Sequence, residues 1–450
     1  MSNEHVDVLV VGAGATGLSA AHALQQAGRS VLVLESRERV GGRLWTDEVD
    51  GVDLEIGGQW VSPDQEALLA MLDELGLDTF ARYREGESVY IGLDGARRTF
   101  TGEQLPVDAA VAAEMDRLTD VLDELAAAMD PARPWEMPGA DDLDRVTFLA
   151  WLEAQSQEQE ARDNIAMFIA QAMLTKPAHA FSALQAVLMA ASAGSFSNLV
   201  DSEFILDRRV VGGLQQVPLR LAERLGDAVR TGHDVEKVVW TDAGVTVTAG
   251  GLTVTAERLV LAVPPGAVSR LRFEPPLPSS QRETRQHHSF GQVIKVHATY
   301  EAPFWRDAGL SGTAFSPYLT VHEAYDNTNH DESRGTLVGF VSDEQADAMQ
   351  ALGADERRTR ILASLGEYFG PAALDPVAYF ESDWTSEELG SGAYGSSFDV
   401  GGLTRFGPAL REPVGPIQIG SSDVAGLGFQ HVDGALRVGA ELARAITTGS

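Results

Sequence analysis

An α/β fold is predicted, in which a Rossmann-type dinucleotide-binding domain is interrupted by a mixed α+β domain. First, an apolar strand leads into the glycine-rich residues 12–17 and then into a helix. Second, another apolar strand, at residues 31–34, ends at Glu35. Third, apolar strand patterns at residues 258–263 and 417–419 are typical of strands that return to the first sheet, which makes the first domain discontinuous.

The glycine-rich turn has the spacing of a pyrophosphate-binding loop. Gly12 permits the tight turn, Gly14 lets the backbone approach a pyrophosphate, and Gly17 lets the following helix pack closely against the strand. The phosphates would then lie at the positive N-terminus of that helix. Glu35 stands where a carboxylate can accept hydrogen bonds from an adenosine ribose.

The rest of the chain divides into helical and strand-rich regions. Apolar residues spaced by threes and fours predict that residues 68–190 are mostly helical. Alternation on both sides of Gly250-Gly251 predicts a hairpin with a two-residue turn. A second strand-rich region covers residues 291–341, a helical stretch follows, and the last strand leads to a helix after Gly434.

These patterns predict two domains that alternate along the chain. Each return to the first sheet closes an insertion, and no low-complexity linker marks the joins. The predicted dinucleotide-binding domain comprises residues 1–80, 205–290 and 390–450, and the predicted substrate-binding domain comprises residues 81–204 and 291–389.

Composition restricts the class of protein. A formal net charge of −32 argues against nucleic acid as a partner, because the phosphates would be repelled. The chain contains no cysteine, which excludes disulfides, thiolate catalysis and a cysteinyl cofactor bond. The N-terminus has neither a basic region nor a long apolar run, so a cytoplasmic protein without a membrane span is expected. No zinc-hydrolase, serine-hydrolase or P-loop motif occurs, and no metal site is predicted.

Two short blocks after Glu35 resemble the flavin amine oxidase family. They are residues 37–43, RERVGGR, and residues 55–60, EIGGQW. The resemblance implies that FAD is the cofactor, and paired glycines can present backbone N–H groups to an anion while Arg43 adds positive charge. An ordinary glycine turn with a surface arginine is the alternative interpretation.

Two further blocks resemble the same family. Lys295, on the apolar run of residues 293–296, is similar to a family lysine that lies near flavin N5 through a water; a lysine that reaches solvent is the alternative. Residues 421–423 and 431–435 are similar to the segment that closes over the flavin at a helix N-terminus. The cofactor-binding residues implied are Gly12, Gly14, Gly17, Glu35, Arg37, Gly41, Gly42, Arg43, Gly58, Gln59, Val235, Ser422, Asp423 and Val432.

Within this family, the blocks at residues 54–65, 83–90, 174–196, 325–330 and 430–435 resemble the bacterial putrescine oxidases, and the resemblance runs along nearly the whole chain. The resemblance implies a homodimer that oxidises putrescine with O2 to 4-aminobutanal, which cyclises to 1-pyrroline, with release of NH3 and H2O2. Hydride would pass from the amine α-carbon to flavin N5. Monoamine oxidases attach FAD to a cysteine at the position of Ala393, so noncovalent FAD is expected here.

The resemblance also implies the residues that contact the amine. Tyr394 and Trp384 would flank it at the flavin face, and Gln59 and Trp60 would lie beside the flavin ring or act as packing. At the second wall of this aromatic cage, either Phe429 or His431 is possible, and counting back from Asp433 favours His431 as the catalytic partner.

A diamine keeps its remote nitrogen protonated and needs an anion at the far end of the pocket. Glu323, on a strand-like segment, resembles the acid that putrescine oxidases use for this purpose. Without the resemblance it would be taken as a surface glutamate, one of 66 acidic residues.

Other functions are kept as alternatives. The nearest is a flavin oxidase of another amine, such as cadaverine, an acylated polyamine or an aromatic monoamine, because one methylene changes binding by only about 1–3 kcal/mol. An amino-acid oxidase would need an arginine for the substrate carboxylate, and no matched motif supplies one. A nicotinamide-dependent dehydrogenase or a noncatalytic FAD-binding protein belongs to a different class.

Overall fold

Two β-sheets organise the chain. The computed structural model describes residues 3–331, 334–387, 389 and 392–449. In this part of the chain, one sheet has eight strands and the other has seven. Each sheet carries its own helices, and the candidate site lies between the two units.

The eight-stranded sheet begins with the predicted nucleotide-binding unit. Its central strands Val31–Leu34, Asn3–Val11 and Leu252–Leu261 are parallel, and Ile417–Ile419 pairs in parallel with the end of Leu252–Leu261. Parallel strands of this kind are buried on both faces, which explains the continuous apolar runs at residues 8–11, 31–34 and 259–261. The remaining strands are Val229–Arg230, Gly244–Ala249, Val235–Thr241 and Arg272–Glu274.

Helices pack on this sheet around the glycine-rich loop. Helix Ala15–Gln26 contacts the C-terminal helix Val432–Thr448, and the two helices approach closely at Gly439, where a Cβ atom would lie 2.5 Å from the Thr16 carbonyl oxygen. The other helices of this unit are Glu66–Leu75, Gln216–Leu225, Pro265–Val268 and Ser279–Gln286.

The seven-stranded sheet is the central sheet of the second unit. Its strand order is Ala378–Asp383, Val293–Tyr300, Gly335–Ser342, Glu323–Asp326, Leu310–Phe315, Glu87–Ile91 and Arg97–Phe100. Lys295 pairs with Phe340, and Phe340 pairs with Glu323 on the next strand. Residues directly opposite each other point to the same face of a sheet, so these three side chains form a row.

Helices cover both sides of the seven-stranded sheet. One group packs with the face that carries the row and forms the largest hydrophobic cluster. It comprises Ala109–Ala127, Ala140–Asp144, Phe148–Gln155, Gln159–Ala166, the π-helix Met167–Leu174, Ala183–Ser192, Phe196–Val200, Ser202–Ile205 and Gly402–Arg411. The others are Phe304–Asp307, Asp343–Gln350 and Ala354–Phe369.

Short strands connect the two units. They form the pair Thr46–Val49 and Val52–Glu55, the pair His288–Phe290 and Ser396–Phe398, and the three-stranded sheet Trp60–Val61, Arg208–Val210 and Thr79–Ala81. The 3₁₀ helices are Pro134–Glu136, Gly226–Ala228, Pro371–Leu374 and Ser422–Val424. No helix among the described residues is long and apolar enough to cross a membrane.

Most of the predicted elements are confirmed, including the discontinuous Rossmann-type sheet and the hairpin at Gly250 and Gly251, both of which have positive φ. The helical prediction for residues 68–190 is wrong at residues 79–100, which contain three strands. Glu87–Ile91 and Arg97–Phe100 form a local hairpin that the helical prediction missed, whereas Thr79–Ala81 pairs with Arg208–Val210 and Glu87–Ile91 also pairs with Leu310–Phe315, both far along the chain. The last helix begins at Val432, before Gly434, because His431 is still extended. The residue limits of the two domains stay a prediction.

Candidate active site

One large cavity, of about 610 Å³, is lined by residues of both units. At one end lie the glycine-rich loop and Glu35, and at the other lie Lys295 and Glu323 from the seven-stranded sheet. The cavity therefore joins the predicted dinucleotide site to the predicted amine site.

The glycines of the loop differ in what surrounds them. A Cβ atom at Gly12, where φ is +101°, would lie 2.6 Å from the Ala262 carbonyl oxygen, and one at Gly17 would lie 1.9 Å from the Gly12 carbonyl oxygen. A Cβ atom at Gly14 would be 4.0 Å from the nearest protein atoms, which belong to Gly41 and Gly42. Gly12 and Gly17 are needed for the fold of the loop. The space at Gly14 is open on the cavity side and fits a closely approaching pyrophosphate.

Glu35 is buried and supports the loop from the next strand. Its carboxylate accepts hydrogen bonds from the backbone N–H of Ala13 at 2.8 Å and of Arg37 at 3.0 Å. The Arg37 side chain turns away to an ion pair with Glu387 and donates from Nε at 3.1 Å. Glu35 and Arg37 both line the cavity, so their predicted positions at a cofactor fit the structure.

Arg43 is paired with Asp423 instead of standing alone. Its guanidinium donates to both carboxylate oxygens, at 3.1 and 2.6 Å, and to the Ser422 hydroxyl at 2.9 Å. Burial raises the pKa of Asp423, but Arg43, His288 and Ser421 together lower it, so the net pKa lies below its usual value. The positive charge predicted to face a pyrophosphate is therefore largely offset by Asp423, which lies behind Arg43 and does not line the cavity.

Lys295 joins its strand to the segment that follows the strand Val52–Glu55. The ammonium Nζ donates to the carbonyl oxygens of Glu55 at 2.6 Å and Gly57 at 2.8 Å, and also to the side-chain oxygen of Gln59. Burial lowers the pKa of Lys295 to about 7; Glu55 opposes this shift and Arg209 adds to it. The lysine is not exposed to solvent, which excludes the alternative of a side chain that reaches the surface.

A buried polar network supports this lysine. Gln59 donates to Asn327 at 2.6 Å, and Arg209 donates to the Asn327 carbonyl oxygen at 2.8 Å. Arg209 also pairs with the Glu55 carboxylate at 2.7 Å, and both side chains are almost completely buried. The segment that bears Gln59 is therefore fixed to the seven-stranded sheet by hydrogen bonds at several points.

Aromatic side chains form the wall between Lys295 and Glu323. Trp60 lies 5.7 Å from Phe340 between ring centroids, and Phe340 lies 6.4 Å from Tyr394 with perpendicular rings. Trp384 donates to the Ile56 carbonyl oxygen at 3.3 Å. Trp60 lines the cavity, and its Nε1 is buried without a hydrogen-bond partner among the described residues.

Glu323 is a buried carboxylate on this wall. Its Oε2 accepts a hydrogen bond from the Tyr325 hydroxyl at 2.8 Å. Its Oε1 lies 3.6 Å from His322 Nε2, and no lysine or arginine among the described residues pairs with it. Burial, with a contribution from the Glu323 charge, raises the pKa of Tyr394 well above its usual value. The interpretation of Glu323 as a surface residue is wrong, because it is only 7% exposed.

At the second cage position, the two alternatives differ in placement. Phe429 belongs to the large hydrophobic cluster and is not among the residues that line the cavity, so its contact with substrate stays a prediction. His431 lines the cavity, and its Nδ1 lies 2.9 Å from the Phe429 carbonyl oxygen. Gln430 also lines the cavity and was missed by the sequence reasoning. Its backbone is left-handed, with a φ of +65°, and a glutamine in a sequence does not predict this conformation.

The structure brings most of the predicted site residues together. Those that line the cavity are Gly12, Gly14, Glu35, Arg37, Gly41, Gly42, Arg43, Gly58, Gln59, Trp60, Val235, Lys295, Glu323, Trp384, Tyr394, Ser422, His431 and Val432. Gly17, Asp423 and Phe429 lie behind the wall. No cluster of potential metal ligands occurs among the described residues.

Comparison with known proteins adds an independent observation. The chain is 56% identical to putrescine oxidase from Kocuria rosea over 445 residues, which cover 96% of this chain and 93% of the relative. A solved structure of wild-type putrescine oxidase bound to putrescine matches with a TM-score of 0.99 at 59% identity, covering 99% of this chain and all of that one. Cyclohexylamine oxidase from Brevibacterium oxydans matches with a TM-score of 0.94 at 30% identity, and 99% of each chain is covered.

A family model described as "Flavin containing amine oxidoreductase" matches residues 15–447. This match confirms the predicted FAD cofactor as the flavin of the family, and the alternatives of a nicotinamide-dependent dehydrogenase and of a noncatalytic protein are wrong. The chain belongs to the family of flavin-containing amine oxidoreductases.

Proposed function

We propose that this enzyme oxidises a primary aliphatic diamine, with putrescine as the preferred substrate. The products would be 4-aminobutanal, which cyclises to 1-pyrroline, together with ammonia and hydrogen peroxide. The similarity to a putrescine oxidase, and to a structure of one with putrescine bound, supports this substrate over a monoamine.

The observation that carries the proposal is the buried carboxylate of Glu323. A buried charge without a counter-ion is costly, so a carboxylate held in this way is suited to a cationic ligand. The remote ammonium of a diamine supplies such a cation, whereas a monoamine places a methyl group there. Glu323 and Lys295 are two strands apart in the same row, about 10 Å between backbones, which leaves room for a short aliphatic chain between them.

The chain's own residues prepare the other end of the amine for reaction. When bound, FAD would supply the acceptor for a hydride from the amine α-carbon, with O2 as the proposed final acceptor of the electrons. Trp384, Tyr394 and His431 are proposed to confine the reacting nitrogen, and the apolar wall favours its uncharged form. The uncharged nitrogen keeps the lone pair that the developing iminium requires.

Lys295 is proposed to organise the flavin side of the site. Its ammonium holds the carbonyl oxygens of Glu55 and Gly57 and the amide of Gln59 in one arrangement. Trp60, next to Gln59, lines the cavity on this side. The remaining predicted cofactor residues surround the open space beside Gly14.

The substrate proposal is tested by Glu323→Gln, which removes the charge and preserves the shape. We expect kcat/KM for putrescine to fall by about 100-fold, because the remote ammonium loses its counter-ion. With pentylamine, in which a methyl group replaces that ammonium, kcat/KM should change by less than about threefold. Steady-state peroxide production with both amines measures these values.

Glu87→Gln serves as the control. Glu87 is an exposed acid on the strand Glu87–Ile91 of the same sheet, and its loss should affect neither amine. If Glu323→Gln oxidises putrescine as well as the unchanged enzyme does, the proposed substrate class is wrong. A panel including cadaverine, an acylated polyamine and an aromatic monoamine then identifies the preferred amine.

Several broader features are part of the same proposal. The similarity to putrescine oxidase supports noncovalent FAD, O2 as the acceptor and a homodimer, and the division into the two predicted domains follows the two sheets. We also infer a cytoplasmic location, which cell fractionation tests directly: activity recovered with membranes or in the medium would contradict it.

A further inference from the structure

Tyr325 lies beside Glu323 and occupies one of its two carboxylate oxygens. The two residues are separated by one position on the strand Glu323–Asp326, so their side chains share a face. The Tyr325 hydroxyl donates to Glu323 Oε2 at 2.8 Å, and both side chains are buried. Burial raises the pKa of Tyr325 well above its usual value, so the hydroxyl keeps its proton and remains a donor at every working pH.

The other carboxylate oxygen, Oε1, is left for a ligand. Within the described part of the chain, no residue donates a hydrogen bond to this atom, and His322 Nε2 lies 3.6 Å from it. That nitrogen is itself buried without a hydrogen-bond partner among the described residues. The hydrogen bond from Tyr325 thus divides the carboxylate into one fixed oxygen and one available oxygen.

The Tyr325 ring is held on several sides. Trp60 and Phe315 contact it edge-on, at 5.5 and 5.8 Å between ring centroids. The Arg82 guanidinium lies 5.3 Å from the ring centroid, and a cation over an aromatic ring is attracted to it.

Arg82 is itself immobilised although it is buried. It donates to the carbonyl oxygens of Leu206 and Ser202, both at 3.2 Å, and to the Thr313 hydroxyl at 3.0 Å. None of the described carboxylates forms an ion pair with it. Its contacts with backbone atoms and with the Tyr325 ring therefore fix the ring from behind.

We propose that Tyr325, stacked on Arg82, is a positioning residue that aims Glu323 at the remote ammonium and thereby sets the preference for diamines over monoamines. This inference rests on the proposed function of Glu323. A carboxylate that has to adopt its geometry when the substrate arrives loses part of the binding free energy, whereas one already oriented does not. A monoamine makes no use of this orientation.

The test is Tyr325→Phe, which removes only the hydroxyl. Phenylalanine keeps the ring but cannot donate the hydrogen bond to the Glu323 carboxylate, so kcat/KM for putrescine should fall by about 10-fold. The effect should appear in KM, with kcat within about twofold, and kcat/KM for pentylamine should stay within about twofold. Steady-state peroxide production with both amines gives all four values.

Tyr300→Phe is the matched control. The Tyr300 hydroxyl is also buried and donates to the Ala373 carbonyl oxygen at 2.9 Å, but the residue does not line the cavity. Its removal should leave the ratio of putrescine to pentylamine activity unchanged. Bound flavin and thermal unfolding are measured for each variant, so that a general loss of structure is recognised.

A double variant separates this inference from the proposed function. In the Glu323→Gln background, Tyr325→Phe should have no further effect on putrescine, because the oriented charge is already absent. Tyr325→Phe that leaves the diamine preference intact, or that impairs both amines equally, overturns the inference while the role of Glu323 stands. If Glu323→Gln itself leaves that preference intact, the proposed function fails first.

A second variant covers the case in which Tyr325→Phe does not fold. Arg82→Lys keeps the charge but lacks the planar group that stacks on the ring. We expect a smaller loss of activity in the same direction, confined to putrescine and to KM. An unchanged ratio of putrescine to pentylamine activity in Arg82→Lys would also overturn the inference.

Discussion

At the residue scale, Lys295 shows how one buried cation serves both structure and chemistry. All three of its N–H donors are used by oxygen atoms of the segment from Glu55 to Gln59. Because its pKa is lowered to about 7, mainly by burial, the ammonium is only partly populated at neutral pH. The geometry of the flavin-side segment is therefore linked to the protonation of one residue.

This link predicts a pH-dependent effect of Lys295→Met on stability. Between the folded pKa of about 7 and the unfolded value of 10.5, the unfolded chain binds more protons at this site, so the site makes stability rise with pH in that window. Methionine removes this slope. From pH 7 to pH 9, the unfolding free energy of the unchanged protein should gain on the order of 2 kcal/mol relative to the variant.

Urea unfolding of both proteins with excess FAD measures this difference. A constant difference between pH 7 and pH 9 would show that Lys295 has an ordinary pKa in the folded protein.

The Lys295→Met variant should also bind FAD near stoichiometrically, while flavin reduction or reoxidation becomes slower. Unchanged half-reactions would leave Lys295 with a structural role alone.

Single residues differ in how far their sequence context reveals them. Lys295 is conspicuous because a lysine inside an apolar strand needs partners. Asn327 and Gln430 carry no such signal, since amides are common in loops. Asn327 reaches the site through Gln59, which lies 268 positions away in the chain, and that distance in sequence explains why it was not predicted.

At the element scale, the glycine-rich loop contains one glycine that the fold requires and another that leaves space for the cofactor. Gly17 is enclosed by backbone atoms, whereas the space beside Gly14 is free of protein atoms to 4.0 Å. The sequence motif predicts that Gly14 lets a pyrophosphate approach the backbone and that Gly17 lets the helix pack closely against the strand. The packing around each glycine agrees with this division.

Alanine should therefore weaken FAD binding at Gly14 and lower the stability of the apoprotein at Gly17. Gly14→Ala should weaken FAD binding by about 10-fold or more, because the methyl group occupies space that the pyrophosphate approaches, while the apoprotein keeps its melting temperature within about 2 °C. Gly17→Ala should lower the stability of the apoprotein by about 2 kcal/mol or more, because the methyl group collides with the Gly12 carbonyl group.

FAD titration and thermal unfolding of the two apoproteins test this pair. A Gly14→Ala apoprotein as unstable as Gly17→Ala would mean that Gly14 also serves the fold. Undiminished FAD affinity in Gly14→Ala would remove the argument that a pyrophosphate fills this space.

Elements were predictable where their pattern is local. The strand–loop–helix unit and the hairpin at Gly250 and Gly251 follow from adjacent residues, and both were predicted. The strand Glu87–Ile91 was not predicted, although it forms a hairpin with Arg97–Phe100, and on its other edge it pairs with Leu310–Phe315, more than 200 positions later. Strand propensity reflects such partners more than it reflects the residues themselves.

At the scale of the whole molecule, the site exists only because two sheets meet. Lys295 and Glu323 come from one sheet, and Gly14 and Glu35 come from the other unit. The sequence could predict both groups of residues by motif and resemblance. It could not predict the support around them, such as the Arg209–Glu55 pair, whose two members are 154 positions apart.

The composition of the chain predicts how the purified holoprotein behaves. With no cysteine in 450 residues, no thioether to FAD can form, so precipitation with acid should leave the yellow flavin in the supernatant. Light scattering should give about twice the chain mass of 48.1 kDa for the proposed homodimer. Flavin that stays with the precipitate would contradict noncovalent attachment, and a mass of one chain would contradict the dimer.

The hydrogen-bond ladder of the seven-stranded sheet also sets the reach of the proposed diamine site. Positions along the row of Lys295, Phe340 and Glu323 are separated by the spacing of neighbouring strands, about 4.8 Å, and Phe315 is the next position beyond Glu323. If the acid were moved to the next position of this row, the length of the accepted diamine would change by the full spacing between two strands. Smaller changes in the accepted length would have to come from the size of the side chains in the cavity wall. The pairing of the strands therefore determines which length of diamine is accepted, and exchanging surface loops would not change it.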